Sequence, residues 1–198
     1  IQQSDWSSDV CSSDLFTQIN ADFLMMENRI SVYNMTDALI QKGLTRLAFA
    51  GDRRHCRSFF ERWQGFTDAM TENGLTPCTT QFTDTNVFAE AALLDETLKR
   101  TLKLPEVFIC ANDFIAINLI HALRRQGVRV PEDIFITGFD NSAESRIIEP
   151  HLTTIDIPSS KMGYIAADLL LSRIREPETP YRIMYVRTNA KYRESAMI

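Results

Sequence analysis

The stretch Pro105–Asn141, PEVFICANDFIAINLIHALRRQGVRVPEDIFITGFDN, decides the fold. Val107–Cys110 and Ile134–Thr137 are short uninterrupted apolar runs, which are typical of strands buried on both faces of a parallel sheet. Between them, Phe114–Gln126 carries apolar residues at helical spacing. Gly127 follows where a left-handed residue commonly ends a helix. The stretch therefore predicts a strand, a helix and a second strand in succession, the unit from which α/β folds are built.

The rest of the chain repeats this alternation. Further strands are predicted at 23–26, 47–50, 81–83, 151–158 and 181–192, and further helices at 32–42, 59–73, 88–102 and 159–175. Strands and helices that alternate with connections of this length predict an α/β fold with a parallel, doubly wound sheet. The helix spacing predicts which side chains are buried: Ala91, Leu94, Leu98 and Leu102 in one helix, and Met162, Ile165, Ala166, Leu169 and Leu170 in the last.

The composition is that of an ordinary soluble globular domain, with 198 residues of which 44% are hydrophobic and 24% charged. A net charge of −5 argues against nucleic-acid binding by bulk charge. The four cysteines lack zinc-site or CxxC spacing, which favours a reduced, cytoplasmic setting. No run approaches the ~20 apolar residues of a transmembrane helix, so no membrane partner is expected.

The first residues stand apart from the rest. The chain begins at Ile1, and residues 4–15 read SDWSSDVCSSDL, a segment biased to Ser and Asp. Residues 1–15 are interpreted either as a non-native leader or as a genuine polar, mobile terminus. Both interpretations leave residues 16–198 as the folded domain.

The sequence lacks the common catalytic and phosphate-binding motifs. It contains no GxxxxGK[ST], no GxGxxG after a strand and no GxSxG. Its three histidines, at positions 55, 121 and 151, are far apart and form no HExxH. We therefore predict no catalytic residue, no metal site and no cofactor, and we expect that the chain is not an enzyme.

Polar side chains follow the two central strands where each one ends. Asn112 and Asp113 come after the first strand, and Asp140 comes after the second. Ligands of open α/β sheets bind at the carboxyl ends of the strands, so these residues are candidates for ligand contact. The structural alternative is that Asn112 only caps a helix and Asp140 only occupies a turn. Arg62, early in a predicted helix, either points toward the strand ends or lies exposed.

Several motifs together resemble the effector-binding domain of LacI/GalR-family transcriptional repressors. ICANDFIAINLIHALRRQGVRVPEDIFITGFDN, followed by PHLTTIDIP and YRES, carries the resemblance. LIQKGLTRLAFAGD and ERWQGFTDAM agree with it upstream. The resemblance covers about residues 26 to 195.

The resemblance implies a periplasmic-binding-protein-like type I fold, in which two α/β subdomains enclose an effector. Residues 26–157 and 181–198 would form the C-terminal subdomain, and residues 16–25 and 159–176 part of the N-terminal subdomain. The helix at 159–176 would then expose apolar surface, because most of its subdomain lies outside the chain. Operator DNA would be bound only through an N-terminal helix-turn-helix that this chain lacks.

The resemblance also implies roles for particular residues. Arg62, Asn112 and Asp140 match the family positions that grip an effector, which we expect to be a sugar. Asp113 and Ser159 are possible additional pocket residues. Such a domain would serve a cytoplasmic regulator and form a homodimer. A solute-binding protein of a sugar transporter shares the fold and remains the alternative.

Overall fold

A computed structural model describes residues 20–197, so the predicted leader at 1–15 lies outside the described residues. The strands are β1 (Phe23–Met26), β2 (Leu47–Ala50), β3 (Val107–Cys110), β4 (Phe135–Thr137), β5 (Thr154–Asp156), β6 (Ile183–Val186) and β7 (Asn189–Lys191). The helices are α1 (Arg29–Gln41), α2 (Arg57–Glu72), α3 (Ala91–Arg100), α4 (Asp113–Arg125) and α5 (Ser159–Arg175). The predicted alternation of strand and helix is confirmed from β1 to α2 and from α3 to β4.

A parallel sheet with the strand order β2-β3-β4 forms the centre of the fold. Its apolar strands are buried as their sequences predict: Ala48, Phe108 and Ile136 are inaccessible to solvent. Single bridges extend the sheet on both sides, from Gly51 to Thr83 and from Thr137 to Thr153. The three central strands therefore end at one common edge.

Two of the predicted elements differ in the structure. The strand predicted at 81–83 is reduced to one bridge, because the amide of Thr83 donates to Thr80 within a turn. The helix predicted at 88–102 begins only at Ala91, after a separate 3-10 turn at Val87–Ala89. Leu102, predicted to be buried, lies beyond the end of this helix and is fully exposed.

The last extended segment, predicted at 181–192, divides into two strands with different partners. β6 pairs in parallel with β1, whereas β7 pairs antiparallel with β5. Residues 183–186 therefore lie beside Phe23–Met26 rather than beside the central strands, where the predicted subdomain boundaries put them. The sheet is thus parallel at its centre but not throughout.

Helix α5 spans the predicted residues but buries less of its surface than predicted. Of its five apolar residues expected inside, only Leu169 is buried. Leu170 is 61% exposed, because within the described residues α5 packs mainly against β1. The expected exposure of apolar surface on this helix is therefore found.

Helices α1 and α2 pack closely against each other, and Gly65 makes this possible. A Cβ atom at position 65 would lie 2.1 Å from the backbone carbonyl oxygen of Arg29. Below this contact, Val32, Met35 and Phe66 enter the main hydrophobic core. The packing fixes the position of α2, and with it the position of Arg62.

Candidate functional site

The candidate site lies at the carboxyl edge of the central sheet. Asn112 follows β3, Asp140 follows β4, and Arg62 lies in the second turn of the helix that follows β2. Because the three strands are parallel neighbours, their ends bring these residues to the same edge. The structure thus groups three residues that are far apart in the sequence.

Arg62 is buried and points toward the strand ends. Only 3% of its surface is exposed, so the alternative of a solvent-exposed arginine is wrong. Its Nε donates to Oδ1 of Asn28 at 2.9 Å, and its Nη1 donates to the carbonyl of Ala111 at 2.6 Å. Its guanidinium carbon lies 3.5 Å from the centroid of the Phe139 ring. Burial lowers the pKa of Arg62, and the charge of Asp140 opposes this effect.

Asp140 faces Arg62 across the site. Its Oδ1 lies 3.5 Å from Nη2 of Arg62, and 38% of its side chain remains exposed. Desolvation raises the pKa of Asp140 to about 6, with Arg62 lowering it and Asp113 raising it. The backbone φ of Asp140 is +116°, in a region that L-residues rarely adopt. Asp140 therefore occupies a turn as predicted, with its carboxylate beside a buried cation, and its contact with an effector stays a prediction.

Asn112 has two roles available to it. Its Oδ1 accepts a hydrogen bond from the amide of Ile115 at 3.0 Å, which caps α4 as predicted. Its Nδ2 makes no hydrogen bond to any of residues 20–197, so this group remains available to donate to a ligand. The capping interpretation is confirmed, and among residues 20–197 no partner is found for the other end of the amide.

Asp113 is enclosed by protein. It is 1% exposed, and its two carboxylate oxygens accept from the amide of Ser142 at 2.8 Å and from the hydroxyl of Thr154 at 2.5 Å. Burial raises its pKa, and these hydrogen bonds oppose the rise. A Cβ at Gly138 would lie 2.2 Å from Oδ1 of Asp113, so the turn approaches the carboxylate closely. Asp113 thus joins the ends of β3, β4 and β5, and its place in a pocket stays a prediction.

Ser159 is not brought together with the other predicted residues. It is the first residue of α5, it is exposed, and its hydroxyl donates to the carbonyl of Ile157 at 3.4 Å. Within the described part of the chain it forms no hydrogen bond to Arg62, Asn112 or Asp140. Its place in a pocket stays a prediction.

Two residues of the site were missed by the sequence predictions. Asn28 is 2% exposed and holds Arg62, and the buried ring of Phe139 lies against the guanidinium. Asn28 comes two residues after the strand at Phe23–Met26, so the rule that selected Asn112 would also have found it. Phe139 lies inside the GFD turn, but nothing in that motif shows that its ring faces an arginine.

The arrangement suits recognition of a polar, uncharged ligand. A carboxylate accepts hydroxyl hydrogens, an amide NH2 donates, and a guanidinium donates in a plane. Among residues 20–197, no group of three or more His, Cys, Asp or Glu side chains could hold a metal ion. In the same range, no helix is long and apolar enough to cross a membrane.

Comparison with known proteins identifies the family to which the chain belongs. Residues 36–196 match the periplasmic binding protein-like domain family, and the chain belongs to that family. Its relatives place it more narrowly, as the effector-binding domain of LacI-family regulators. It is 28% identical over 181 residues to the ribose operon repressor of Haemophilus influenzae. It is 31% identical over 166 residues to the HTH-type transcriptional repressor PurR of Vibrio cholerae.

Solved structures agree with this assignment. The transcriptional regulator CelR in complex with cellobiose has a TM-score of 0.78, with 26% identity over 89% of this chain and 54% of that one. A LacI family regulator from Enterococcus faecium with bound ribose has the same fold, with a TM-score of 0.75. It is 23% identical, and the match covers 89% of this chain and 65% of that one. This chain spans about half the length of these curated relatives. The match to the ribose operon repressor covers 91% of this chain and 54% of the repressor. The match to PurR covers 83% of this chain and 49% of PurR.

Proposed function

We propose that this chain is the effector-sensing part of a LacI-family DNA-binding transcriptional regulator, and that its effector is a sugar. The observation that carries the proposal is the meeting of Arg62, Asp140 and the free amide end of Asn112 at one sheet edge. The relatives that match the chain are transcriptional regulators, and two similar structures contain cellobiose or ribose.

Each side chain has a distinct task in this proposal. The carboxylate of Asp140 accepts hydrogen bonds from two sugar hydroxyls, and Nδ2 of Asn112 donates to a third oxygen. The guanidinium of Arg62 donates from its edge and keeps Asp140 ionised. No bond of the ligand is broken, so the protein acts as a sensor and not as an enzyme.

The regulator is favoured over the transporter alternative by its relatives, which are repressors and regulators of transcription. Binding of operator DNA would belong to the part of the relatives that this chain does not span. A cytoplasmic location follows from that role. Effector binding would change the DNA affinity of the whole protein through a coupling free energy between the two sites.

A homodimer is part of the proposal, and an exposed apolar surface supports it. Phe114 on α4 is 59% exposed, and Ile147 after the neighbouring 3-10 turn is 76% exposed. The helix and the 3-10 turn contact each other, and we propose that the two side chains form one apolar face. Apolar surface of this kind commonly marks a contact with another protein.

Isothermal titration calorimetry tests the sensing function. The chain is titrated with a panel of pentoses, hexoses, disaccharides and purines, and a sugar is expected to bind in the micromolar range. Asp140→Ala and Arg62→Ala should each weaken that binding at least tenfold, whereas the exposed control Arg54→Ala should not. Binding that is unchanged in both site variants, or selective binding of a purine, would contradict the proposal. In a gel shift, the chain alone is expected to bind no operator DNA.

A further inference from the structure

Asn28 lies in the connection between β1 and α1, and its carboxamide is fully occupied. Oδ1 accepts from Nε of Arg62 at 2.9 Å. Nδ2 donates to Oε2 of Glu61 at 2.9 Å and to the carbonyl of Met26 at 3.3 Å. A buried amide that is bonded at both ends, to α2 and to the end of β1, is held in one orientation, and so is the guanidinium that it contacts.

The guanidinium of Arg62 consequently touches the site and the connection at the same time. Nη2 lies 3.5 Å from Oδ1 of Asp140 and 3.6 Å from the sulfur of Met26. Because the guanidinium is planar and rigid, a rotation that changes the contact of Nη2 also changes the contact of Nε with Asn28. One side chain thus joins the end of β4 to the end of β1.

The connection is one of the segments that link the β1–β6 pair to the central sheet. The amide of Glu27 donates to the carbonyl of Val186, and the hydroxyl of Thr188 donates to the carbonyl of Glu27 at 2.9 Å. The connection after β1 is therefore bonded to the connection after β6. A displacement of residues 26–28 would be transmitted to both.

We propose that Asn28 is a positioning residue of the effector site, which fixes Arg62 between Asp140 and the β1–α1 connection so that engagement of Arg62 displaces that connection. This inference rests on the proposed function, because it describes how effector binding at the site is transmitted to residues outside the site. A ligand oxygen that binds Nη2 would draw the guanidinium away from Met26 and pull on Asn28. Coupling of this kind needs a physical chain of contacts, and these three residues supply it.

The test uses the full 198-residue chain without any ligand. Titration of Asp140 changes the charge that Arg62 faces, so it imitates engagement of the guanidinium. The Met26 methyl signal is followed by NMR from pH 4.5 to 7.5, and Met26→Leu assigns it among the seven methionines. The signal is expected to shift with a midpoint near pH 6, the pKa of Asp140. The charges of Cys56, Asp113 and Glu61 also affect Arg62. The variant Asp140→Asn therefore assigns the titration to Asp140, because it should abolish the midpoint.

Three variants distinguish positioning from general destabilisation. Asn28→Ala and Asn28→Ser should each reduce the amplitude of the Met26 shift at least threefold. The serine is too short to reach Arg62 but is a favourable residue at the start of a helix, and this helps α1 to form. Asn73→Ala is the matched control, because Asn73 also joins α2 to α1, through Asp37, at the far end of the helix pair. It should leave the amplitude unchanged.

The results overturn the proposal in two ways. A Met26 signal that does not respond to Asp140 in the wild-type chain overturns it without any variant. A full-amplitude shift in Asn28→Ala or Asn28→Ser overturns the role of Asn28. No sugar enters the experiment, so either negative result would leave the proposed sensing function in place. Equally, a chain that binds no sugar could still show the coupled titration.

Discussion

The guanidinium of Arg62 lies 3.5 Å above the centroid of the Phe139 ring, and both side chains are buried. The negative face of the ring attracts the cation, while the backbone carbonyl of Ala111 and the side-chain oxygen Oδ1 of Asn28 accept its hydrogens. A buried charge is tolerated only when it is paired and hydrogen-bonded. Arg62 meets both conditions, so it contributes to the fold as well as to the site.

Replacing Arg62 by alanine is expected to lower the free energy of unfolding by about 3 kcal/mol, because the change leaves buried acceptors without a donor. Urea denaturation followed by circular dichroism measures the change. The matched control is Arg54→Ala: that side chain is 69% exposed, and its loss should cost less than about 0.5 kcal/mol. Equal effects of the two substitutions would contradict a structural role for Arg62.

The pKa of Asp140 predicts an unusual dependence of stability on pH. Its folded-state value of about 6 is above the ordinary value of 3.8, so between these values the folded chain binds a proton that the unfolded chain does not. The contribution of Asp140 to the free energy of unfolding therefore falls as pH rises through 6. We expect Asp140→Asn to gain stability relative to wild type between pH 4.5 and pH 7.5. Urea unfolding at both pH values provides the comparison, and a constant difference would refute the raised pKa.

Asp113 is expected to matter for stability rather than for recognition. Asp113→Ala should lower the free energy of unfolding by about 3 kcal/mol, since it leaves the amide of Ser142 and the hydroxyl of Thr154 without acceptors. Glu96→Ala breaks only an exposed ion pair within α3 and should cost about 0.4 kcal/mol. Thermal and urea unfolding of both variants test the difference. A mild effect at Asp113 would show that its hydrogen bonds are weaker than their geometry suggests.

Two helical glycines should respond to alanine in opposite directions. Gly65→Ala places a Cβ 2.1 Å from the carbonyl oxygen of Arg29 and should lower the free energy of unfolding by about 3 kcal/mol. Gly163→Ala, in α5, meets no atom within 4 Å and should raise it by about 0.8 kcal/mol through helix propensity alone. The same urea experiment measures both. If both variants were stabilised, the close approach of α1 and α2 would be disproved.

The proposed dimer surface can be tested by charge. Ile147→Glu and Phe114→Glu each place a carboxylate on the exposed apolar face and should shift sedimentation equilibrium from dimer toward monomer. Leu102→Glu is the control, because Leu102 is fully exposed and lies beyond the end of α3, outside the two elements that carry Phe114 and Ile147. A dimer that survives both substitutions, or a wild-type monomer, would contradict the proposed interface.

Much of the fold could be predicted because its first strands are short apolar runs, of which two are buried at every residue. Apolar runs at 23–26, 47–50 and 107–110 coincide with β1, β2 and β3 residue for residue. The pairing of β6 with β1 could not be predicted, because 160 residues separate Phe23 from Ile183 and local patterns carry no information on partners at that distance. The predicted burial of α5 was wrong for a related reason. Periodicity shows which face of a helix is apolar, but not whether another element covers that face.

The candidate site was predictable only in part. Asn112 and Asp140 were found because polar residues at the ends of neighbouring parallel strands must lie near each other. The burial of Arg62 depends on Ala111 and Phe139, which come from strands distant in the sequence. Asp113 shows the limit of motif matching: it stands next to Asn112, yet its carboxylate is turned into the protein.

The double engagement of Arg62 also bears on how such a sensor can be re-engineered. A side chain that contacts the pocket and the β1–α1 connection together leaves little room for change, because a new specificity obtained there would alter the response as well as the affinity. Asn112 is a separate position for change, since the NH2 group that it would offer to the proposed effector takes no part in the helix cap. Directed evolution toward new effectors of the proposed sensor is therefore best begun at the end of β3, with Arg62 left unchanged.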